Sequence, residues 1–456
     1  MQLRRLLFNA SFFELEDYRR VNISGIASRP EGVKPGFIFV CGSEYEEDYL
    51  DVVRQAVENG AAAVCVETEE EIPFPEVVLI RTSNCKRFLA VISRNFYGNP
   101  TQHMNLIAVT GSHGKTTVLW MVHEILKATS RDCVVIGSAH QKVGETIYEM
   151  DCDTPEPPIT NWLLREGIRK RVEWAALECS FTGIRNDYLR YLQFDSIIFT
   201  DMYTNDRNRQ MDYVYLEARK GLLDNLKTVK SPVIINLDDL YVRQIVHPNA
   251  ITYSIFHPAD VTARGISLDE RGSRFIIETD QGSTEIRLSL PGIYHVYNSL
   301  GAVAWGIGEN IPLDTIRTAL ENIRTIPGIS PTSLHLPKDV TIHGEDITQP
   351  EKIKEWYEVS LEKGRGKIIT VLCCKDLDPK KYQEIGQLLD RYNDRVVLVS
   401  EDQRLYRKAG DKLPIEEWIK TPDISHEPDP YKALQDTVES TSWGDQVLIL
   451  SKRTRS

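Results

Sequence analysis

The run Val109-Thr-Gly-Ser-His-Gly-Lys-Thr-Thr117 is where residue type and spacing point most directly to chemistry. Glycines at 111 and 114 allow a tight turn, and a helix is expected to begin at the lysine that follows. Backbone N–H groups of such a turn, with a helix N-terminus behind them, present a concave donor surface to a polyphosphate. Lys115 adds a point charge for the β- and γ-phosphates, and the Thr116 hydroxyl is placed to bind Mg²⁺. Gly111, Ser112, His113, Gly114, Lys115, Thr116 and Thr117 are therefore candidate nucleotide-binding residues, with Thr116 also a candidate metal ligand. The spacing Gly111-x-x-Gly114-Lys-Thr is shorter than the G-x-x-x-x-G-K-[ST] phosphate loop, whose first glycine would fall at Ala108. A tight turn with a helix cap is the plainer reading of the same residues. The coincidence of strand, glycines, lysine and paired threonines favours the nucleotide.

Such a loop needs rigid elements on either side. Asn105-Leu-Ile-Ala-Val-Thr110 reads as a buried strand that delivers it. Further strands are expected at Ala175–Leu177, Ser196–Thr200 and Val233–Asn236, with helical stretches between them. That alternation predicts a parallel sheet covered on both faces. Upstream, Gly36-Phe-Ile-Phe-Val-Cys41 and Ala61-Ala-Ala-Val-Cys-Val66 alternate with polar helical stretches as far as the turn-rich Tyr97-Gly-Asn-Pro100. A second break comes near Ile326-Pro-Gly-Ile-Ser-Pro331, followed by strand-like runs at 367–373, 395–400 and 446–450. The boundaries expected are thus 1–100, 101–327 and 328–456. The fold class is α/β, with an α/β N-terminal domain, a central P-loop-type parallel sheet domain and a Rossmann-like C-terminal domain.

Composition excludes several classes. The 456 residues carry 66 acidic and 54 basic side chains, for a net charge of −12, which disfavours broad contact with nucleic acid or an anionic membrane. Apolar residues at 41% and charged residues at 26% suit a globular protein rather than a disordered one. No apolar stretch is long enough for a membrane span, and the acidic residues soon after Arg4 and Arg5 argue against a secretory signal. Eight cysteines without a C-x-x-C pair give neither a zinc pattern nor a disulfide framework. A cytoplasmic, monomeric protein working on small molecules is expected.

The segment Thr110-Gly-Ser-His-Gly-Lys-Thr-Thr117 resembles the ATP loop of the Mur ligases, which build the peptide stem of cell-wall precursors. Further matches follow in order. Ser28-Arg29, Val33-Lys-Pro-Gly-Phe-Ile-Phe39 and Gly60-Ala-Ala-Ala-Val64 are similar to the uridine-binding first domain of the branch that adds the third residue. Asp153-Thr-Pro155, Leu177-Glu-Cys-Ser180, Phe194-Asp195, Phe199-Thr200, Asn236-Leu-Asp-Asp239 and Leu290-Pro-Gly-Ile-Tyr-His-Val-Tyr-Asn298 continue the likeness, which spans residues 20–300. The resemblance implies an ATP- and Mg²⁺-dependent ligase that joins a carboxylate to an amine through an acyl phosphate. The acid it implies is a UDP-N-acetylmuramoyl-peptide or a related compound. An inactive relative that binds nucleotide and regulates a partner is the rival reading, and a plain P-loop NTPase a third.

Site residues follow from the same resemblance. Glu178 and Asp206 are implied as metal ligands, the latter standing where the family has histidine. Lys220, in Tyr215-Leu-Glu-Ala-Arg-Lys220, falls where the family carries a carbamylated lysine. Lys115, Lys220 and Glu178 are thus the implied catalytic residues. Asn298 and Asp239 are implied neighbours of base and ribose; as bare residues they would be a cap and a turn. Ser28, Thr154, Ser180 and Arg404 are implied substrate contacts.

The departures are as specific. The family's serine–histidine pair and its arginine fall on Phe181, Thr182 and Tyr188. Its Gly-Arg-x-Glu element would lie about Gly328-Ile-Ser-Pro-Thr332, without an arginine. Its amino-acid-selecting Asp-Asn-Pro-Arg becomes Glu401-Asp-Gln-Arg404, which leaves Arg404 the sole positional candidate for an acceptor's carboxylate. The acceptor amine is unassigned by sequence.

Overall fold

Short β-branched runs with alternating inward sides build the first sheet. In this computed structural model, Ile38 and Val40 face one core with Cys65, Ile80 and Phe88. Phe39 and Cys41 face a second core with Val64, Val66, Leu79 and Val53. This is the two-residue period of a strand covered on both sides. The sheet runs Glu14–Leu15, Val78–Arg81, Ala63–Val66, Phe37–Val40, Gly25–Ala27. All neighbours are parallel except the Glu14–Leu15 edge.

The described residues are 1–15, 21–42, 49–138, 140–150, 153–202, 209–269, 271–327, 340–347, 350–362, 366–374, 377–400, 413–420, 422–442 and 444–451. They fall into two compact units. One comprises Met1–Ala108, Asp132–Asp195 and Gly221–Thr228; the other comprises Val109–Arg131, Ser196–Lys220 and Val229–Ser456.

Besides its five-stranded sheet, the first unit holds, in a separate sheet, the parallel pair Cys133–Ile136 and Trp174–Cys179. Antiparallel strands His140–Val143 and Thr146–Glu149 extend this pair. The Pro157–Arg169 helix lies close above, since a Cβ on Gly167 would stand 2.4 Å from Val134 Cγ2.

In the second unit, Ser196–Phe199, Val233–Asn236, Ala250–Ser254 and Val261–Asp269 pair in parallel order. An antiparallel meander, Gly272–Thr279 and Gly282–Leu288, grows from the last of these. Helices Lys115–Ala128, Ile293–Gly308 and Leu313–Glu321 pack together, and Trp305 Nε1 donates to Ser196 Oγ at 3.1 Å. Val261–Asp269 also pairs antiparallel with Val340–Asp346 through Ile266–Ile342, Ser267–Thr341 and Leu268–Val340. Val340–Asp346 then opens a parallel series through Gln446–Ser451, Ile368–Cys373, Arg395–Val399 and Asp423–His426. The α/β reading holds, with nearly every expected strand in place.

Among the described residues no helix is long and apolar enough to cross a membrane.

Candidate nucleotide-binding and ligation site

The Asn105–Thr110 strand ends in the loop, and the Lys115–Ala128 helix starts at the expected lysine. The two glycines are obligatory for different reasons. Gly111 has φ +153°, and a Cβ there would lie 1.8 Å from Thr200 Oγ1. Gly114 caps the helix at φ +76°, and its Cβ would lie 2.1 Å from Asn298 Oδ1. Only the missing side chains let Thr200 and Asn298 approach the turn. Lys115 Nζ donates to Gly111 O and Ser112 O, both at 3.1 Å, so its ammonium arches over the loop.

The loop is braced by the end of the Ser196–Phe199 strand. Thr200 Oγ1 donates to His113 O at 2.7 Å, and Ser112 N donates to Asp201 O at 2.9 Å. Asp201, with 1% of its side chain exposed, takes His113 N on one oxygen at 2.7 Å and His113 Nδ1 near the other at 2.9 Å. From the Arg209–Lys220 helix, buried Arg219 donates to Gly111 O at 2.9 Å. Burial pulls the Arg219 guanidinium below its ordinary range, against the pull of Asp201 and Asp239. The contributions of Asp201 and Arg219 were missed by sequence reasoning. Their partners lie 88 and 108 residues away, and local spacing carries no sign of them.

Asn236-Leu-Asp-Asp239 forms a buried hub beside the loop. Asn236 Nδ2 donates to Thr200 O at 3.0 Å. Asp238 accepts from Ile255 N at 2.6 Å and Tyr297 OH at 2.9 Å, and lies 2.7 Å from His257 Nδ1. Burial alone would raise this carboxyl, but His257, Ser254 and the Ile255 amide bring it below its ordinary value. Asp239 accepts from Met202 N, Val242 N and Tyr241 N at 2.7, 2.8 and 2.9 Å. Burial first, and then the charge of Asp201, push Asp239 up to about 6 despite those amides. Its carboxylate is thus committed to the backbone. Asn298 is buried against Gly114, on the helix that also carries Tyr297.

Glu178, Thr154, Ser180 and Ser28 belong to the first unit. Glu178 ends the Trp174–Cys179 strand with 1% exposure. The buried Thr154 hydroxyl lies 3.0 Å from Glu178 O and 2.9 Å from Ser180 Oγ, and it accepts the Ser180 amide at 3.0 Å. Ser180 Oγ in turn accepts Gly183 N at 3.0 Å, capping the Phe181–Arg185 turn. Thr154 and Ser180 therefore fasten two loops to each other. A cavity of about 540 Å³ adjoins them, lined among others by Ser28, Arg29, Asp153, Thr154, Glu156 and Tyr188. Ser28 Oγ donates to Glu156, the residue that caps a helix beginning with Pro157 and Pro158. Those prolines remove two N–H donors from the helix start. The lining groups named offer two carboxylates and one guanidinium.

Lys220 closes its helix with Nζ 3.0 Å from Glu217 Oε1. Asp206 and Arg404 lie outside the described residues. Among the described residues no three His, Cys, Asp or Glu side chains converge on a metal position. The Thr116 hydroxyl in the second unit is a hard oxygen donor, and so is the buried Glu178 carboxylate in the first; each by itself is a donor of the kind that suits Mg²⁺. The glycine cradle with Lys115 above it fits a polyphosphate.

Comparison with known proteins accords with this geometry. Residues 109–306 match the Mur ligase middle domain. A protein of Bacillus velezensis named UDP-N-acetylmuramoyl-L-alanyl-D-glutamate--2,6-diaminopimelate ligase is 28% identical over 448 residues, covering 96% of this chain and 90% of its own. A Syntrophomonas wolfei protein of the same name is 27% identical, covering 94% and 89%. A solved structure bearing that name superposes with a TM-score of 0.60 at 19% identity, covering 95% of this chain and 90% of its own. The MurF ligase of Thermotoga maritima in complex with ADP gives 0.52 at 19% identity, covering 94% of each chain.

Proposed function

We propose, from the premise that residues 109–306 match the Mur ligase middle domain, that this chain is an ATP-dependent carboxylate–amine ligase. The observation that carries the reading is the braced loop. Two glycines are packed against Thr200 and Asn298, Lys115 arches above, and Asp201 and Arg219 hold the backbone from below. The names of the relatives support a UDP-N-acetylmuramoyl-peptide, or a related acid, as the carboxylate substrate. The ADP complex of the Thermotoga maritima protein supports the nucleotide.

The chemistry asks specific things of this chain. A carboxylate oxygen is a poor leaving group, so it must first accept the terminal phosphoryl group of ATP. The amine then adds to the acyl carbon, and inorganic phosphate leaves. Phosphoryl transfer depends on positioning and on cations that offset the charge of the oxygens. With Ser112 N and His113 N taken by Asp201, Lys115 and the N-terminus of its helix hold the phosphates for that step. Thr116, Glu178 and Asp206 are the residues that would hold Mg²⁺, which supplies Lewis-acid stabilisation of phosphate charge. Lys220 carries a carbamate in this reading, and Asn298 and Asp239 neighbour the base and ribose. The cavity lined by Ser28 and Thr154 takes the acid, with Ser180 supporting its wall, and Arg404 takes the carboxylate of an incoming amino acid. In this reading the segments 1–100, 101–327 and 328–456 are the uridine-nucleotide-binding-like, ATP-binding and acceptor-binding domains of a cytoplasmic monomer.

Phosphate release from ATP over a panel of carboxylates and amines tests the proposal, with Lys115→Ala as control. Turnover that requires both an acid and an amine is expected, with the variant reduced at least 100-fold, roughly the weight of a lost phosphate-transfer cation. Release without either substrate would make the protein an NTPase. Nucleotide binding without turnover would favour the regulatory reading.

A further inference from the structure

We propose that the His113 imidazole, braced by the Asp201 carboxylate, is a second cation for the terminal phosphates of the bound nucleotide, working beside Lys115. This inference rests on the reading of residues 111–117 as a nucleotide loop. His113 stands between the two obligatory glycines, immediately before the residue that caps the Lys115–Ala128 helix. It is held at three points. Its amide and its ring Nδ1 meet the two oxygens of one carboxylate, at 2.7 and 2.9 Å, and its carbonyl accepts the Thr200 hydroxyl at 2.7 Å. A loop residue that served only to turn the chain would need no such three-point hold.

The hold also orients the ring. Asp201 is buried, whereas the His113 side chain is 53% exposed. With Nδ1 committed to the carboxylate, contact between the ring and a phosphate would fall to Nε2. The charged groups facing it are Asp201, which favours the imidazolium, and Lys115 and Arg219, which oppose it. The hydrogen bond to Asp201 is the largest influence and outweighs burial, so His113 takes up its proton above the ordinary histidine range. A bound polyphosphate is the ligand class that offsets the opposition from Lys115 and Arg219. Reciprocity then requires that binding phosphate take up protons on His113, and that affinity fall as pH rises.

Titration calorimetry of the full chain with ADP and a non-hydrolysable ATP analogue, from pH 6 to pH 9 with Mg²⁺ present, tests this. His113→Asn is the informative variant, because the asparagine amide keeps a donor where Nδ1 was while removing the charge and Nε2. The wild-type protein should bind about tenfold more tightly than the variant at pH 6, the weight of one charge-assisted hydrogen bond, and the two should converge by pH 9. Taking the ratio cancels the nucleotide's own titration. AMP, which lacks the terminal phosphates, should show no difference at any pH. In wild-type protein the His113 ring resonance should titrate at higher pH once ADP is bound, a readout that does not depend on the variant's folding. Equal affinity of the two proteins across the range, an affinity ratio that does not change with pH, or a His113 titration that ADP leaves unmoved would overturn the proposal. Failure of both proteins to bind any nucleotide would instead bring down the nucleotide loop itself, and this inference with it.

Discussion

Lys220 and Arg219 are neighbours in sequence with opposite fates. Arg219 is turned inward onto Gly111 O, while the Lys220 ammonium pairs with exposed Glu217 one turn back. A surface pair of this kind contributes little, about 0.3–0.5 kcal/mol, so it holds the side chain only weakly, and a carbamate there requires that the ammonium first lose its proton. If Lys220 carries a carbamate, Lys220→Ala should lose turnover while keeping nucleotide affinity, and short carboxylates added to the assay should restore part of the rate. A variant with unchanged turnover would end that assignment. At this scale the loop itself was legible, because its chemistry is written in nine consecutive residues, Val109–Thr117. Asp201 and Arg219 were visible as residues but not as partners. Their contacts close only when distant segments meet, and nothing in the residue type of an acid or an arginine says which backbone it will hold.

The joint between strand, loop and helix depends on Gly114 more than on any hydrogen bond. Gly114→Ala asks alanine to adopt φ +76° and places its methyl 2.1 Å from Asn298 Oδ1. The backbone strain costs roughly 1–2 kcal/mol, and Asn298 must move as well. We expect this variant to lose at least tenfold in nucleotide affinity by calorimetry, with a lower midpoint in denaturant unfolding. Retention of both would mean that the Gly114–Asn298 approach is incidental. Among elements, the short apolar runs read correctly because burial on both faces leaves them no polar alternation to confuse with a helix. Val261–Leu288 was not anticipated as a meander. Its alternation is interrupted by Gly265, at φ +57°, and by a register shift between Arg264 and Ser267.

Stability of the whole molecule should depend on pH through buried titratable groups. His295 is 4% exposed, and neither ring nitrogen finds a hydrogen-bond partner among the described residues. Burial holds it down to about 4, from an ordinary value of 6.5. The unfolded chain therefore binds a proton between those values that the native chain refuses. Its effect is nil above pH 6.5 and grows into a destabilisation as pH falls towards 4, reaching about 3 kcal/mol. Asp239 acts in the opposite sense, since its raised value relieves a cost as pH falls through about 6. His295→Leu should make the acid limb of the stability curve shallower when denaturant midpoints are measured from pH 4.5 to 7. An unchanged slope would show that the imidazole is hydrated in the native protein. Linker signals and compact units are different quantities at this scale. Linker signals near residues 100 and 327 mark where the chain is turn-rich. Compactness depends on which segments return, as Asp132–Asp195 does to Met1–Ala108.

The three rungs joining Val261–Asp269 to Val340–Asp346 have a mechanical meaning. Together with the Ser451 hydroxyl on Phe256 O at 2.6 Å, they stitch the last quarter of the chain to the sheet that carries the nucleotide loop. Val340–Asp346 and Gln446–Ser451 are thereby continuous with that sheet. Each stitch contributes only about 1 kcal/mol net, but they must part together, so the seam behaves as a latch whose opening sets a minimum toll on any cycle that requires it.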